Sequence, residues 1–108
     1  MAAAGCSMPG EGIAEEPYVR GPIADMAHRA TSSGLFVMGG PGSVEPCGIR
    51  ATVDANTRYQ RRARDGALSE ATLADLSVGD TVEVYVVGPI AESCPVQGKA
   101  SRIVEIAP

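Results

Sequence analysis

Asp75-Leu-Ser-Val-Gly-Asp-Thr-Val-Glu-Val-Tyr-Val-Val-Gly-Pro-Ile-Ala-Glu-Ser-Cys-Pro-Val-Gln-Gly-Lys-Ala-Ser-Arg-Ile-Val-Glu-Ile106 is the stretch whose reading decides the fold. Val82, Val84 and Val86 alternate with Glu83, Tyr85 and Val87, the two-residue period of a strand with one buried face. Gly79-Asp80 turns into that strand. Gly88-Pro89 breaks its ladder, because Pro has no N–H to donate and Gly relaxes the backbone. The chain returns as a second strand, Lys99 to Ile106. There Ala100, Val104 and Ile106 share a parity that Ile103 does not, and a bulge reconciles them. Turn, strand, bend, strand points to an antiparallel β protein.

Working outward, Tyr18 to Ala27 reads as a strand bent at Gly21-Pro22, and Leu35 to Met38 as a short apolar strand. Gly39-Gly-Pro-Gly-Ser43 is a loop. Gly48 to Asp54 alternates, with Ile49, Ala51 and Val53 inward and Arg50, Thr52 and Asp54 outward. Ala55-Asn56 turns, and Thr57 to Gln60 continues or re-enters the sheet. Arg61 to Gly66 is polar and ends at the turn pair Asp65-Gly66. Ser69 then offers an N-cap, and Leu73 and Leu76 share a face, which predicts about two turns of helix held only by packing. Three strands, one short helix and two strands give an all-β fold: a small five-stranded OB-like Greek-key barrel, the helix between strands three and four. An SH3-like barrel, which lacks the helix, is the alternative.

The chain has 108 residues, enough for one modest core. With no Trp, one Phe and three Tyr, that core is built from small aliphatic side chains, and a covalent staple would help it. Residues 1–17 are Gly-rich and acidic without either period, a flexible lead to a barrel domain spanning 18–108. The formal net charge of −4 repels phosphate backbones and anionic membranes, which disfavours nucleic acid as a partner. No apolar run is long enough to cross a membrane as a helix. Cys6, Cys47 and Cys94 are too scattered for a zinc site, and no metal ion or cofactor is expected. Ala3-Ala4-Gly5-Cys6-Ser7 resembles a bacterial lipobox, in which the Cys becomes the lipidated N-terminus, although Leu is usual at the position of Ala3. A tail with an incidental Cys is the competing reading.

Arg20-Gly21-x-Ile23, Ala51-x-Val53-x-x-x-Thr57 and Asp75-Leu76-x-Val78-Gly79-Asp80-x-Val82-Glu83-Val84 carry a resemblance, and Gly88-Pro89-Ile90-x-Glu92-Ser93-x-Pro95-x-Gln97-x-x-Ala100 is its most specific part. With these motifs the chain resembles the YobA-like family of small secreted or lipid-anchored bacterial proteins of unknown function, over Tyr18 to Ile106. The resemblance implies an extracytoplasmic barrel and no established substrate or reaction. The family commonly has Tyr between Ser and Pro, where this chain has Cys94. Cys47 and Cys94 each neighbour a Pro at a strand terminus. In an exported protein they can pair, closing a loop worth about 4 kcal/mol in the chain-entropy model. Two separate thiols are the alternative.

Other candidate groups are weaker. Arg58, Arg61, Arg62 and Arg64, with Tyr59 among them, could line a single-stranded nucleic-acid surface, but a solvated loop leading into the helix is the simpler account of them. Glu92, Ser93 and Gln97 cluster around the bend. They could contact a small ligand at the barrel mouth, or satisfy backbone groups where Pro interrupts the ladder. Ser93 has no oriented base, since His28 is remote in sequence, so no catalytic residue is assigned. The expected function is that of a non-enzymatic extracytoplasmic β-barrel. It would be a binding or accessory module for an unidentified protein or small-molecule ligand, attached to the membrane only through lipid on Cys6, with no oligomer evident. A cytosolic single-stranded nucleic-acid-binding protein using Arg58 to Arg64 is the alternative.

Overall fold

The computed structural model describes residues 17–28 and 33–108. Among the described residues seven strands follow one another: β1 (Val19–His28), β2 (Ser33–Val37), β3 (Ile49–Val53), β4 (Arg58–Arg62), β5 (Leu68–Glu70), β6 (Thr81–Ala91) and β7 (Val96–Ile106). Five of them close into a barrel. β1 pairs with β2 and β6, β2 with β3, and β6 with β7, all antiparallel. A parallel junction between β3 and β7 completes the ring. The all-β barrel expected from the alternation is therefore present.

β3 and β4 lie one after the other along the same edge of β7, both parallel to it. The step between them is the Ala55-Asn56 turn. The Asp54 backbone N–H donates to Thr57 Oγ1 at 3.0 Å, and the buried Thr57 hydroxyl donates to the Ala100 carbonyl at 2.9 Å. These bonds satisfy polar groups that a broken strand would otherwise leave unpaired. β3 and β4 thus serve as one long, stepped strand against β7.

The expected helix between Ser69 and Leu76 does not form. Leu68–Glu70 is a strand paired antiparallel to Gln60–Arg62 through the Asp65-Gly66 turn, and only a 3-10 turn, Leu73–Asp75, follows. A capping box opens that turn, Asp75 Oδ2 accepting from the Thr72 N–H at 2.8 Å, but the backbone is extended again at Leu76, and Asp80 Oδ2 accepts from the Ser77 N–H at 2.9 Å in the next turn. So short a segment does not propagate into an α-helix. Leu76 still enters the core and Leu73 packs against it, so the apolar pair anticipated for the helix is buried without one.

Inward side chains such as Val19, Ile23, Val37, Ile49, Val84 and Ile103 fill the barrel. Ala100 and Ile103 both point inward because Ser101 is the extra residue of a bulge opposite Tyr85/Val86. Its hydroxyl donates to the Tyr85 carbonyl at 3.1 Å. Gly21 lets the loop after β2 close over β1, since a Cβ there would run into the Met38 carbonyl. Ser43 secures the same loop, its Oγ accepting from the Arg20 N–H at 2.7 Å and donating to the Arg20 carbonyl at 3.1 Å. Cys47, just before β3, is bridged to Cys94 in the bend between β6 and β7, with Cα atoms 5.6 Å apart. The bridge sits at one end of the parallel β3–β7 junction that closes the barrel.

Candidate functional site

Four strands place one outward residue each in a row across the barrel surface. Asp25 on β1 is opposite Phe36 on β2, Phe36 opposite Arg50 on β3, and Arg50 opposite Gln97 on β7. The adjacent row reads Ala27, Gly34, Thr52, Lys99 in the same strand order. Because Ala27 and Gly34 carry almost no side chain, the second row is low where the first stands high. The step between them is a cleft of about 290 Å³. The Arg50 guanidinium stands 5.0 Å from the Phe36 ring centre, within cation–π range. Lys99 is turned away to Asp54, 2.9 Å distant, and this ion pair holds the Asp54 carboxyl below the ordinary aspartate range.

The arginines of β4 and the following turn are occupied within the chain. Arg58 pairs with Glu70 at 3.2 Å, Arg61 lies 3.9 Å from Glu105, Arg62 reaches Glu83 at 2.8 Å, and Arg64 donates to the Pro108 oxygen. Arg58–Arg62 is a strand and not a solvated loop. Its alternate residues Gln60 and Arg62 cover the outer face of β6 and β7. There Glu83 and Tyr85, expected to be solvent-facing, are buried. Arg62 and Arg20 hold the Glu83 carboxylate from two sides, Arg20 Nε at 3.3 Å in an ion pair whose angle misses a hydrogen bond. The Tyr85 hydroxyl donates to Glu83 at 3.1 Å, and Arg102 lies 4.2 Å above the Tyr85 ring while donating to Gln60 at 3.0 Å. Burial, and then the Glu83 charge, push the Tyr85 hydroxyl above the ordinary tyrosine range. This network is a polar lid over the outward-facing Val104.

Glu105 points the other way, toward the barrel end near Asp80. Burial raises its carboxyl, the Arg61 charge acts against that, and Asp80 and Asp75 raise it further. Its Oε1 is buried without a hydrogen bond, the Arg61 contact being too long for one. A second cleft of about 350 Å³ opens beside Glu105, Asp80 and Arg20.

The three polar residues of the bend are not gathered into one site. Gln97, opposite Ala91 in the hairpin, lines the first cleft. The Ser93 hydroxyl donates to the Pro95 carbonyl at 2.6 Å, so it serves the backbone, and Glu92 is exposed. Cys6 lies outside the described residues, as does most of the 1–17 lead. Among the described residues no three His, Cys, Asp or Glu side chains gather as metal ligands.

The residues missed by reading the sequence are Asp25, Phe36 and Arg50 as a set. A signal existed: Phe36 is the lone Phe, on the outward parity between inward Leu35 and Val37, and Arg50 is outward beside Ile49 and Ala51. Only the strand register brings them into one row. Comparison with protein-family models, curated proteins and solved structures finds no match to this chain.

Proposed function

We propose that the protein is a non-enzymatic extracytoplasmic binding module of OB type, related to the YobA-like family, with its ligand surface on the cleft across β1, β2 and β3. The observation that carries this reading is the row Asp25, Phe36, Arg50, Gln97, a charged and aromatic surface that the core does not require and that the other described residues leave exposed. In five-stranded barrels of this type, the face around the second and third strands and the loops beside it is the usual contact surface. The Cys47–Cys94 bridge supports an oxidising compartment, since disulfides persist outside the reducing cytosol. Lipid on Cys6 belongs to the same reading and rests on the lipobox-like sequence alone.

The nucleic-acid alternative is the weaker one, because Arg58, Arg61, Arg62 and Arg64 are each engaged inside the molecule. Phosphate binding would have to break those pairs in a chain of net charge −4. Two measurements test the proposal, one on cells and one on purified protein. The full-length native protein should fractionate outside the cytoplasm with Cys47 and Cys94 protected from alkylation. Purified protein should show no salt-sensitive binding to a labelled single strand at physiological salt. A cytoplasmic, fully reduced protein that binds the strand, and loses it in Arg61→Ala or Arg62→Ala, would reverse the ranking.

A further inference from the structure

Among the described residues, Arg50 is the one basic side chain with neither an ion pair nor a hydrogen bond. Arg20, Arg58, Arg61 and Arg62 face carboxylates, Arg64 and Arg102 donate to oxygens, and Lys99 holds Asp54. The Arg50 guanidinium lies 5.0 Å from the Phe36 ring centre and lines the cleft, its hydrogen-bonding capacity unused by the described residues. At the other side of Phe36, Asp25 is likewise exposed and without a hydrogen-bond or ion-pair partner. The two do not neutralise each other, because Phe36 and its strand stand between them. Two strand spacings separate their backbones, about 10 Å.

A ligand with a single charge would meet one of these groups and be repelled by the other, at a distance comparable to the Debye length of about 8 Å in physiological salt. A ligand with both charges at the matching separation satisfies both. An extended peptide rises about 3.4 Å per residue, so the ammonium and carboxylate of about three residues span the gap. Single amino acids and zwitterionic headgroups hold their charges closer together than two strand spacings. We propose that the cleft binds a short peptide of about three residues with free ends, its carboxylate on Arg50 and its ammonium on Asp25. The low row of Ala27 and Gly34 receives the peptide backbone beside the Phe36 ring. Gln97 and Thr52 flank Arg50 and offer an amide and a hydroxyl to the carboxylate end. The assignment rests on reading this face as the ligand surface.

The test is an NMR titration of the oxidised, isotope-labelled protein with tri-alanine, N-acetyl-tri-alanine, tri-alanine amide and hexathymidylate. Tri-alanine should give saturable shifts at Asp25, Phe36, Arg50 and Gln97. Blocking either end should weaken binding about tenfold, the scale of one charge-assisted hydrogen bond. Arg50→Ala and Asp25→Asn should each produce a similar loss with thermal unfolding unchanged. Absence of saturable shifts with tri-alanine, or equal binding of the blocked peptides, overturns the peptide assignment. If hexathymidylate alone perturbs the four residues, the peptide assignment fails and the cleft stands as a ligand surface. If no probe perturbs them, both fail.

Discussion

Glu83 and Glu70 are both carboxylates facing arginines, in very different surroundings. Glu83 is buried under Arg20, Arg62 and Tyr85, whereas the Arg58–Glu70 pair leaves 62% and 73% of its side chains in water. Removing Glu83 leaves two partly buried guanidiniums and a tyrosine hydroxyl uncompensated, so Glu83→Ala should cost about 1–3 kcal/mol. Glu70→Ala should cost about 0–1 kcal/mol, as exposed pairs do. Urea unfolding of both variants reads the difference, and equal losses would reduce the Glu83 network to ordinary surface charge. Glu105 adds a pH dependence. Its folded pKa lies above the carboxyl value of 4.5 through burial, opposed by Arg61 and helped by Asp80 and Asp75. The folded state therefore binds this proton more tightly than the unfolded state. The stabilisation is complete below 4.5 and is lost as pH rises through the folded value. Compared with the parent, Glu105→Gln should lose less stability between acid and neutral pH. Parallel stability–pH curves for the two proteins would remove Glu105 from the account.

At the scale of elements, strands were legible where a single face is buried. Ile49, Ala51 and Val53 alternate in the sequence and in the barrel, whereas Val82 and Val84 face inward as read but Glu83 and Tyr85 between and beside them are buried too. The bulge at Ser101 was legible as a clash of parity between Ala100 and Ile103. The connection after β4 was not. Ser69 reads as an N-cap and Leu73/Leu76 as a helical pair, but Glu70 and Arg58 meet across a hairpin, which only pairing with a distant strand decides. The cleft was legible in part: Gln97 was a candidate, while Asp25, Phe36 and Arg50 needed the register between four strands. The corrected connection makes its own prediction. Leu76→Ala should cost about 2–5 kcal/mol, because the side chain fills the core. Ser69→Ala, on an exposed strand, should stay within about 0.5 kcal/mol. Were Ser69 capping a helix, its loss would cost about 1 kcal/mol, and denaturant midpoints separate the two cases.

The whole molecule depends on how a thin, aromatic-poor core is closed. Cys47 and Cys94, 47 residues apart in sequence, tie the entrance of β3 to the bend before β7, where the parallel strands meet. Loop-closure entropy for that separation is about 4 kcal/mol, a large part of the stability of a domain this size. Reduction, or the Cys47→Ser/Cys94→Ser pair, should lower the melting temperature by well over ten degrees on the usual scale of about 4–8 °C per kcal/mol. A shift of only a degree or two would mean that the ring holds without its staple. The same closure sets the row that forms the cleft, since Gln97 reaches Arg50 only through the β3–β7 register. Cross-strand proton NOEs on the oxidised protein therefore read the closure of the ring itself. Parallel-type contacts should link Arg50 with Gln97 and Ala51 with Gly98, alongside antiparallel contacts between Phe36 and Arg50. An open sheet, with the β2–β3 contacts present and the β3–β7 contacts missing or shifted in register, would contradict that closure.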